Sequence, residues 1–168
     1  PGSNTARHGV AGSTDRHTAL ATTEPGNFSI KATPGEPGAP GRWKENIIGF
    51  SQVEGGPDIT IRAAQTLSAG LAGVWAKDNT RESLWDAFKR KEVYAPTGPR
   101  ITVRVWGGWD FEEQDALSRL PGGIGYTKGV PMGGDLYKAP KGKMPTFLVG
   151  ALKDPYSGNL DRIQVIKG

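Results

Sequence analysis

The sequence predicts an α/β fold whose first half mixes helix with buried strand and whose second half is mostly strand. Residues 79–91 hold a capped amphipathic helix, residues 101–106 alternate between apolar and polar side chains, and residues 70–76 are apolar throughout. Helix and buried strand come first and strands afterwards, which suits the end of an α/β domain leading into a β-rich appendage.

Composition sets the bounds. A hydrophobic content of 36%, with five Trp and five Phe in 168 residues, is enough for one ordinary core. The 25 Gly and 13 Pro assign many residues to turns and irregular loops. No stretch approaches the roughly 18 consecutive apolar residues that cross a bilayer, so no membrane span is expected. The chain starts at Pro1 without a signal-peptide pattern, which predicts a piece of a longer protein or a processed product. The lack of cysteine excludes disulfides, thiolate zinc sites and cysteine nucleophiles within these residues, and it fits the cytoplasm or the periplasm alike. The net charge of +4 arises from 21 bases and 17 acids mixed along the chain. Without a concentrated basic face or a recognisable module, nucleic-acid binding is not expected.

Taken in order, residues 8–13 read as a short buried strand that runs into a loop holding Asp15 and His17. Pro, Gly and Ala then dominate residues 24–42, and from Gly35 to Gly41 glycine recurs every third residue as in collagen. That run is too short for a triple helix and reads as a flexible loop. Residues 57–68 place Ile59, Ala63 and Leu67 four apart behind Asp58, predicting a helix with Asp58 as its N-cap. Residues 70–76 suit a fully buried strand or a tightly packed connection.

In the next segment Asn79 and Glu82 form a capping-box pattern ahead of an apolar stripe of Leu84, Trp85 and Phe88. Lys89, Arg90 and Lys91 fall in the last turn, where the helix dipole favours cations. The aromatic pair on this helix reads as core. Pro96 and Pro99 bracket a turn. Ile101, Val103 and Val105 then define one side of a strand, expected to lie in an antiparallel sheet. Asp110 and Glu113 could cap a short helix to about Leu120. The glycine-rich passage 121–134 reads as a loop. Residues 146–152 and 162–167 are further strands, with Asp154-Pro155 and Ser157-Gly158-Asn159 turning between them. The last strand runs into the C-terminus, an ending expected of a truncated sheet.

One motif holds chemistry. In an extended segment Ser13, Asp15 and His17 face the same way, and a carboxylate beside an imidazole is a natural two-ligand contribution to a metal site. Asp and His two residues apart also arise by accident. Other motifs fail. Residues 122–129 contain Thr127-Lys128-Gly129, the reverse of the Gly-Lys-Ser/Thr order of a phosphate loop. The dinucleotide fingerprint lacks its feeding strand and leaving helix, and there is no Gly-x-Ser-x-Gly elbow. Glu112, Glu113 and Asp115 offer carboxylates for a glycosidase pair, but an exposed charged face on a short solvated helix is the preferred reading.

Residues 70–76, 79–92, 94–100, 125–135 and 152–155, together with Gly107-Gly108-Trp109-Asp110-Phe111, closely resemble a bacterial family catalogued as a domain of unknown function. That family looks like a distant branch of the PHP (polymerase and histidinol phosphatase) metallohydrolases. The resemblance covers nearly the whole chain apart from the Pro/Gly loop. It implies that residues 1–100 are the C-terminal part of a distorted β/α, PHP-like barrel, interrupted by the loop at 24–42. Residues 101–168 would be a β-rich, sandwich-like extension, the whole being an incomplete domain.

PHP enzymes end their series of metal motifs with an Asp-x-His at a strand's C-terminal end, and Asp15-Arg16-His17 matches it. The resemblance therefore implies that Asp15 and His17 are ligands of a cluster of divalent ions, zinc, manganese or iron. The remaining ligands would come from the upstream part of the same protein. His8 matches no motif position.

The implied activity is hydrolysis of a small-molecule ester such as a phosphate or sulfate ester. Arg100 is a candidate anion-binding residue, or else a structural arginine pairing across its turn. Catalytic metal sites take at least three protein ligands, so the isolated chain is expected to be inactive and to bind metal weakly. The alternatives are a non-catalytic β-rich binding or structural module with no metal site, and a degenerate relative that has lost its other ligands.

Overall fold

The computed structural model describes residues 8–14, 46–51, 54, 56, 58–62 and 70–166. The chain divides into two compact units, one of Pro1–Ala11 with Ala72–Gly168 and one of Gly12–Leu71. The architecture is mixed α/β, with small sheets in which every described pairing is antiparallel. Among the described residues no helix is long and apolar enough to cross a membrane.

In the Gly12–Leu71 unit, strand β1 (Asn46–Ser51) pairs antiparallel with β2 (Asp58–Arg62), with Ser51 opposite Asp58 and an irregularity between Asn46 and Ile48. The helix expected over 57–68 is therefore replaced, over 58–62, by a strand. The four-residue spacing of Ile59 and Ala63 is real, but Ile59, Thr60 and Ile61 are consecutive β-branched residues that favour extended backbone. Residues 8–13 are likewise not a strand, and Val10 is 67% exposed. The glycines explain what happens beyond Ala11. A side chain at Gly12 would collide with the Leu71 carbonyl and one at Gly70 with the Ser13 carbonyl, so the backbones approach closely without forming a ladder. The loop at 24–42 lies outside the described residues.

The other unit is built on a three-stranded sheet, order β6-β5-β7, and a two-stranded one, β3-β4. Here β3 is Gly73–Val74, β4 is Val93–Tyr94, β5 is Thr102–Gly108, β6 is Gly129–Pro131 and β7 is Thr146–Leu152. The sheet's register sets Thr102 against Leu152 and Trp106 against both Leu148 and Pro131. Trp106 and Leu148 are buried and, with Ala87 and Val93, form the core of this unit. The alternation read at 101–106 and the strand read at 146–152 correspond to β5 and β7.

Helix α1 (Arg81–Lys89) is capped by Thr80, whose hydroxyl accepts the Ser83 N–H at 3.2 Å. Its apolar stripe does not form a core. Ala87 is fully buried while Trp85 is 67% and Phe88 43% exposed. Small Ala87 is what allows this helix to approach its neighbours closely. Helix α2 (Glu113–Ala116) is a single turn, shorter than the segment expected to reach Leu120.

The passage read as a glycine-rich loop contains helix α3 (Pro121–Lys128). Pro121 opens it with φ already set for a helix, and Gly125 removes the Cβ that would otherwise lie inside the Trp106 ring. Tertiary packing thus overrides a helix penalty of about 1 kcal/mol per glycine. No strand forms over 162–166; Ile163, Val165 and Ile166 are exposed.

Candidate functional site

The most elaborate polar arrangement among the described residues begins at the C-terminus of α1. Arg90 is the C-cap and Lys91 follows in the left-handed region at φ 62°. The Lys91 N–H donates to the Phe88 carbonyl and the Glu92 N–H to the Ala87 carbonyl, each at 3.0 Å. This is a Schellman closure with lysine where glycine is usual. It reverses the chain and delivers Glu92 directly into the β3-β4 pair, where the Trp75 N–H donates to the Glu92 carbonyl at 3.0 Å.

Trp75 is fixed a second time. Its indole Nε1–H donates to the Val103 carbonyl at 2.9 Å, which holds the ring beside β5. The next residue, Arg104, points away from the Val103 side of the strand and lays its guanidinium 3.8 Å from the Trp75 ring centroid. The same guanidinium lies 5.1 Å from the centroid of Trp106 and 5.4 Å from that of Tyr126. These are cation–π distances on three rings, and they leave Arg104 little rotational freedom.

Glu92 is 4% exposed and is the hub of the cluster. The Tyr126 hydroxyl donates to its Oε1, and Arg104 Nη2 lies 3.7 Å from the same oxygen. Arg90 Nη2 donates to Oε2 at 3.4 Å. The Tyr126 oxygen in turn accepts from Arg104 Nη2 at 3.0 Å. Burial, followed by the neighbouring carboxylate, raises the Tyr126 pKa above its ordinary 10.0, with Arg104 and Arg90 partly opposing. At neutral pH the phenol therefore keeps its proton and donates it to Glu92.

Around this hub is a cavity of about 570 Å³ lined by Trp75, Ala76, Lys77, Arg90, Glu92, Arg104 and Tyr126. It combines three cationic side chains, a single carboxylate and aromatic walls. A second cavity, of about 430 Å³, is predominantly apolar and includes Val105, Trp109, Val130, Met132, Leu136 and Phe147.

The residues singled out from the sequence fall elsewhere. Asp15 and His17 lie outside the described residues. Arg100 is exposed and does not line either cavity. Its backbone N–H donates at 2.7 Å to Oδ2 of Asp154, which is 3% exposed and also accepts the Tyr156 N–H at 2.9 Å. Those two backbone bonds hold the Asp154 carboxyl below its ordinary pKa of 3.8.

Of the acidic group at 112–115, Asp115 is not on a solvated face. It is buried, with both oxygens 2.8 Å from Lys128 Nζ, and it accepts the Glu112 N–H at 2.8 Å. The lysine bond, then the backbone bond, lower its pKa. Among the described residues no three His, Cys, Asp or Glu side chains group as a metal site would require.

Over residues 1–168 the sequence matches the family described as "Protein of unknown function (DUF3604)". The chain belongs to this family. No curated protein and no solved structure matches it.

In this DUF3604 chain the cluster around Glu92 was missed by reasoning from sequence for an identifiable reason. Lys89-Arg90-Lys91-Glu92 reads as a solvated helix end, and Tyr126 sits in a passage without helical periodicity. The available signal was Arg104, a charged residue flanked by Val103 and Val105 in a strand and shortly before Trp106. A strand's second face that carries arginine and tryptophan together has to be partnered by something.

Proposed function

We propose that this DUF3604 chain is part of a metal-dependent hydrolase of the PHP-like kind, acting on a phosphate or sulfate ester. Asp15 and His17 are two of its metal ligands. The reading is carried by one observation, the resemblance in long and specific motifs distributed from Gly70 to Pro155. On this reading residues 1–100 belong to the closing part of a distorted β/α barrel, and residues 101–168 are a β-rich extension.

A carboxylate and an imidazole suit zinc, manganese or iron. Two donors are fewer than the three protein ligands a catalytic ion takes, and the described residues add no further cluster. The resemblance, in which further metal motifs come earlier in the chain, is the ground for placing the other ligands in an upstream part of the same protein. When bound, divalent ions would activate water and stabilise the oxygens of the ester being displaced. No step is assigned to the residues of this chain beyond holding the ions.

The test uses the full-length protein. Metal content is measured on the purified protein, and hydrolysis is screened on phosphate and sulfate esters. The expected result is stoichiometric divalent metal and turnover of at least one ester class, with both lost in an Asp15→Ala/His17→Ala variant. A full-length protein that purifies without metal, takes none up and hydrolyses neither class would overturn the proposal. For the isolated chain the expectation is weak metal binding and no turnover.

A further inference from the structure

We infer that the cavity around Arg104 is a binding site for a tetrahedral oxyanion carried on a small organic group, a phosphate or sulfate monoester. The inference rests on described residues of the Ala72–Gly168 unit alone and does not depend on the metal-hydrolase reading.

Charge comes first. Lys77, Arg90 and Arg104 line the cavity against the single carboxylate of Glu92. That carboxylate is already engaged, with Tyr126 and Arg104 at Oε1 and Arg90 at Oε2. It therefore orients the cationic groups and offers little to an incoming cation. A metal ion would meet three like charges and one saturated ligand, whereas an anion meets a net excess of positive charge.

Donor supply points the same way. A guanidinium has five N–H donors, and Arg90, with a side chain 48% exposed, spends one bond on Glu92. Lys77 is exposed at the rim and forms no ion pair among the described residues. These cations come from three separate places along the chain: the segment after β3, the end of α1, and β5. Donors converging from different directions fit a tetrahedral group better than a flat carboxylate, which one guanidinium can satisfy in its own plane.

Arg104 adds preorganisation. It is held over Trp75 and bonded to Tyr126, so little side-chain freedom is lost when a ligand arrives. The volume adds the organic part. About 570 Å³ exceeds what a bare oxyanion needs, and Ala76 with the Trp75 and Tyr126 rings supplies apolar wall for the remainder.

The test is calorimetric titration of the full chain, in chelator, with inorganic phosphate, inorganic sulfate, phenyl phosphate and phenyl sulfate. At least one phenyl ester should bind, more tightly than its inorganic ion and more weakly as salt rises. The ratio of the two esters says which oxyanion is preferred. Lys77→Ala changes an exposed side chain with no ion pair among the described residues, whereas Arg90→Ala also removes a partner of Glu92 and is checked for folding by circular dichroism; each should weaken binding by about tenfold. Arg104→Ala should abolish binding, and circular dichroism on that variant separates lost binding from lost folding. Asp15→Ala/His17→Ala should bind as the parent does, so loss of hydrolysis and loss of this site can be told apart. No binding of any of the four ligands at millimolar concentration, or unchanged affinity in both rim variants, would overturn the inference.

Discussion

The Tyr126 hydroxyl donates to the buried Glu92 carboxylate, joining helix α3 to the residue that leaves the Schellman turn of α1. Arg104 approaches both partners, so phenol, carboxylate and guanidinium act as one unit. A network of this kind is stable only when every member keeps its partner.

Tyr126→Phe should therefore destabilise the protein although the ring keeps its edge-on packing against Trp106 at 5.9 Å. The expected loss is about 1.5 kcal/mol, the low end for a hydrogen bond to a charged group, because Tyr126 is half exposed. Denaturant midpoints of Tyr126→Phe, Glu92→Gln and the double variant test this. Coupling should appear as a double-variant loss smaller than the sum of the singles. The pH sign also follows. A phenol whose folded pKa is raised favours the protonated state, so its stabilisation is present below the ordinary value of 10.0 and fades as pH rises through the folded value.

Much of the larger unit was legible in the sequence, in the places where local pattern and tertiary demand coincide. β5 and β7 alternate or carry β-branched residues, and the helix read over 79–91 is α1, although its N-cap is Thr80 bonding to Ser83 and not Asn79 paired with Glu82. The misreadings share a cause. The Gly125 environment, the Glu92 burial and the exposure of Trp85 are decided by partners distant in sequence, which no local periodicity encodes. Lys91 at φ 62° is the clearest instance, since a glycine there would have marked the turn that delivers Glu92.

Asp154 should control the acid limb of stability. Its folded pKa lies below 3.8, so the stabilisation it gives is complete above about pH 5 and is lost as pH falls through the folded value. Asp115, held by Lys128, contributes in the same window and direction. Asp154→Asn should lower the melting temperature at neutral pH and flatten its decline between about pH 5 and pH 2. An unchanged acid limb in Asp154→Asn would show that the backbone bonds from Arg100 and Tyr156 do not discriminate carboxylate from amide.

Two glycines of α3 should respond in opposite directions. Nothing lies within 4 Å of a Cβ built on Gly123, so Gly123→Ala should stabilise by about 0.5–1 kcal/mol through helix propensity. Gly125→Ala drives its methyl into the Trp106 indole and should cost about 1–3 kcal/mol or more. Thermal melts of the two variants check this directly. Equal effects would mean that α3 does not pack on β5 as described.

The order β6-β5-β7 has one consequence for how the polypeptide must be handled. β7 reads Thr-Phe-Leu-Val-Gly-Ala-Leu, seven residues without a charge at an edge of the sheet, so one side of its backbone has no partner strand among the described residues. Such a segment can template its own copies when its sheet neighbour is removed. The chain brackets it with Lys143 and Pro145 on one side and Lys153 and Asp154 on the other, residues that oppose stacking. A truncation that separates β7 from β5 discards the partner and keeps the hazard, so fragments should be cut before Thr102 or after Asp154, never between them.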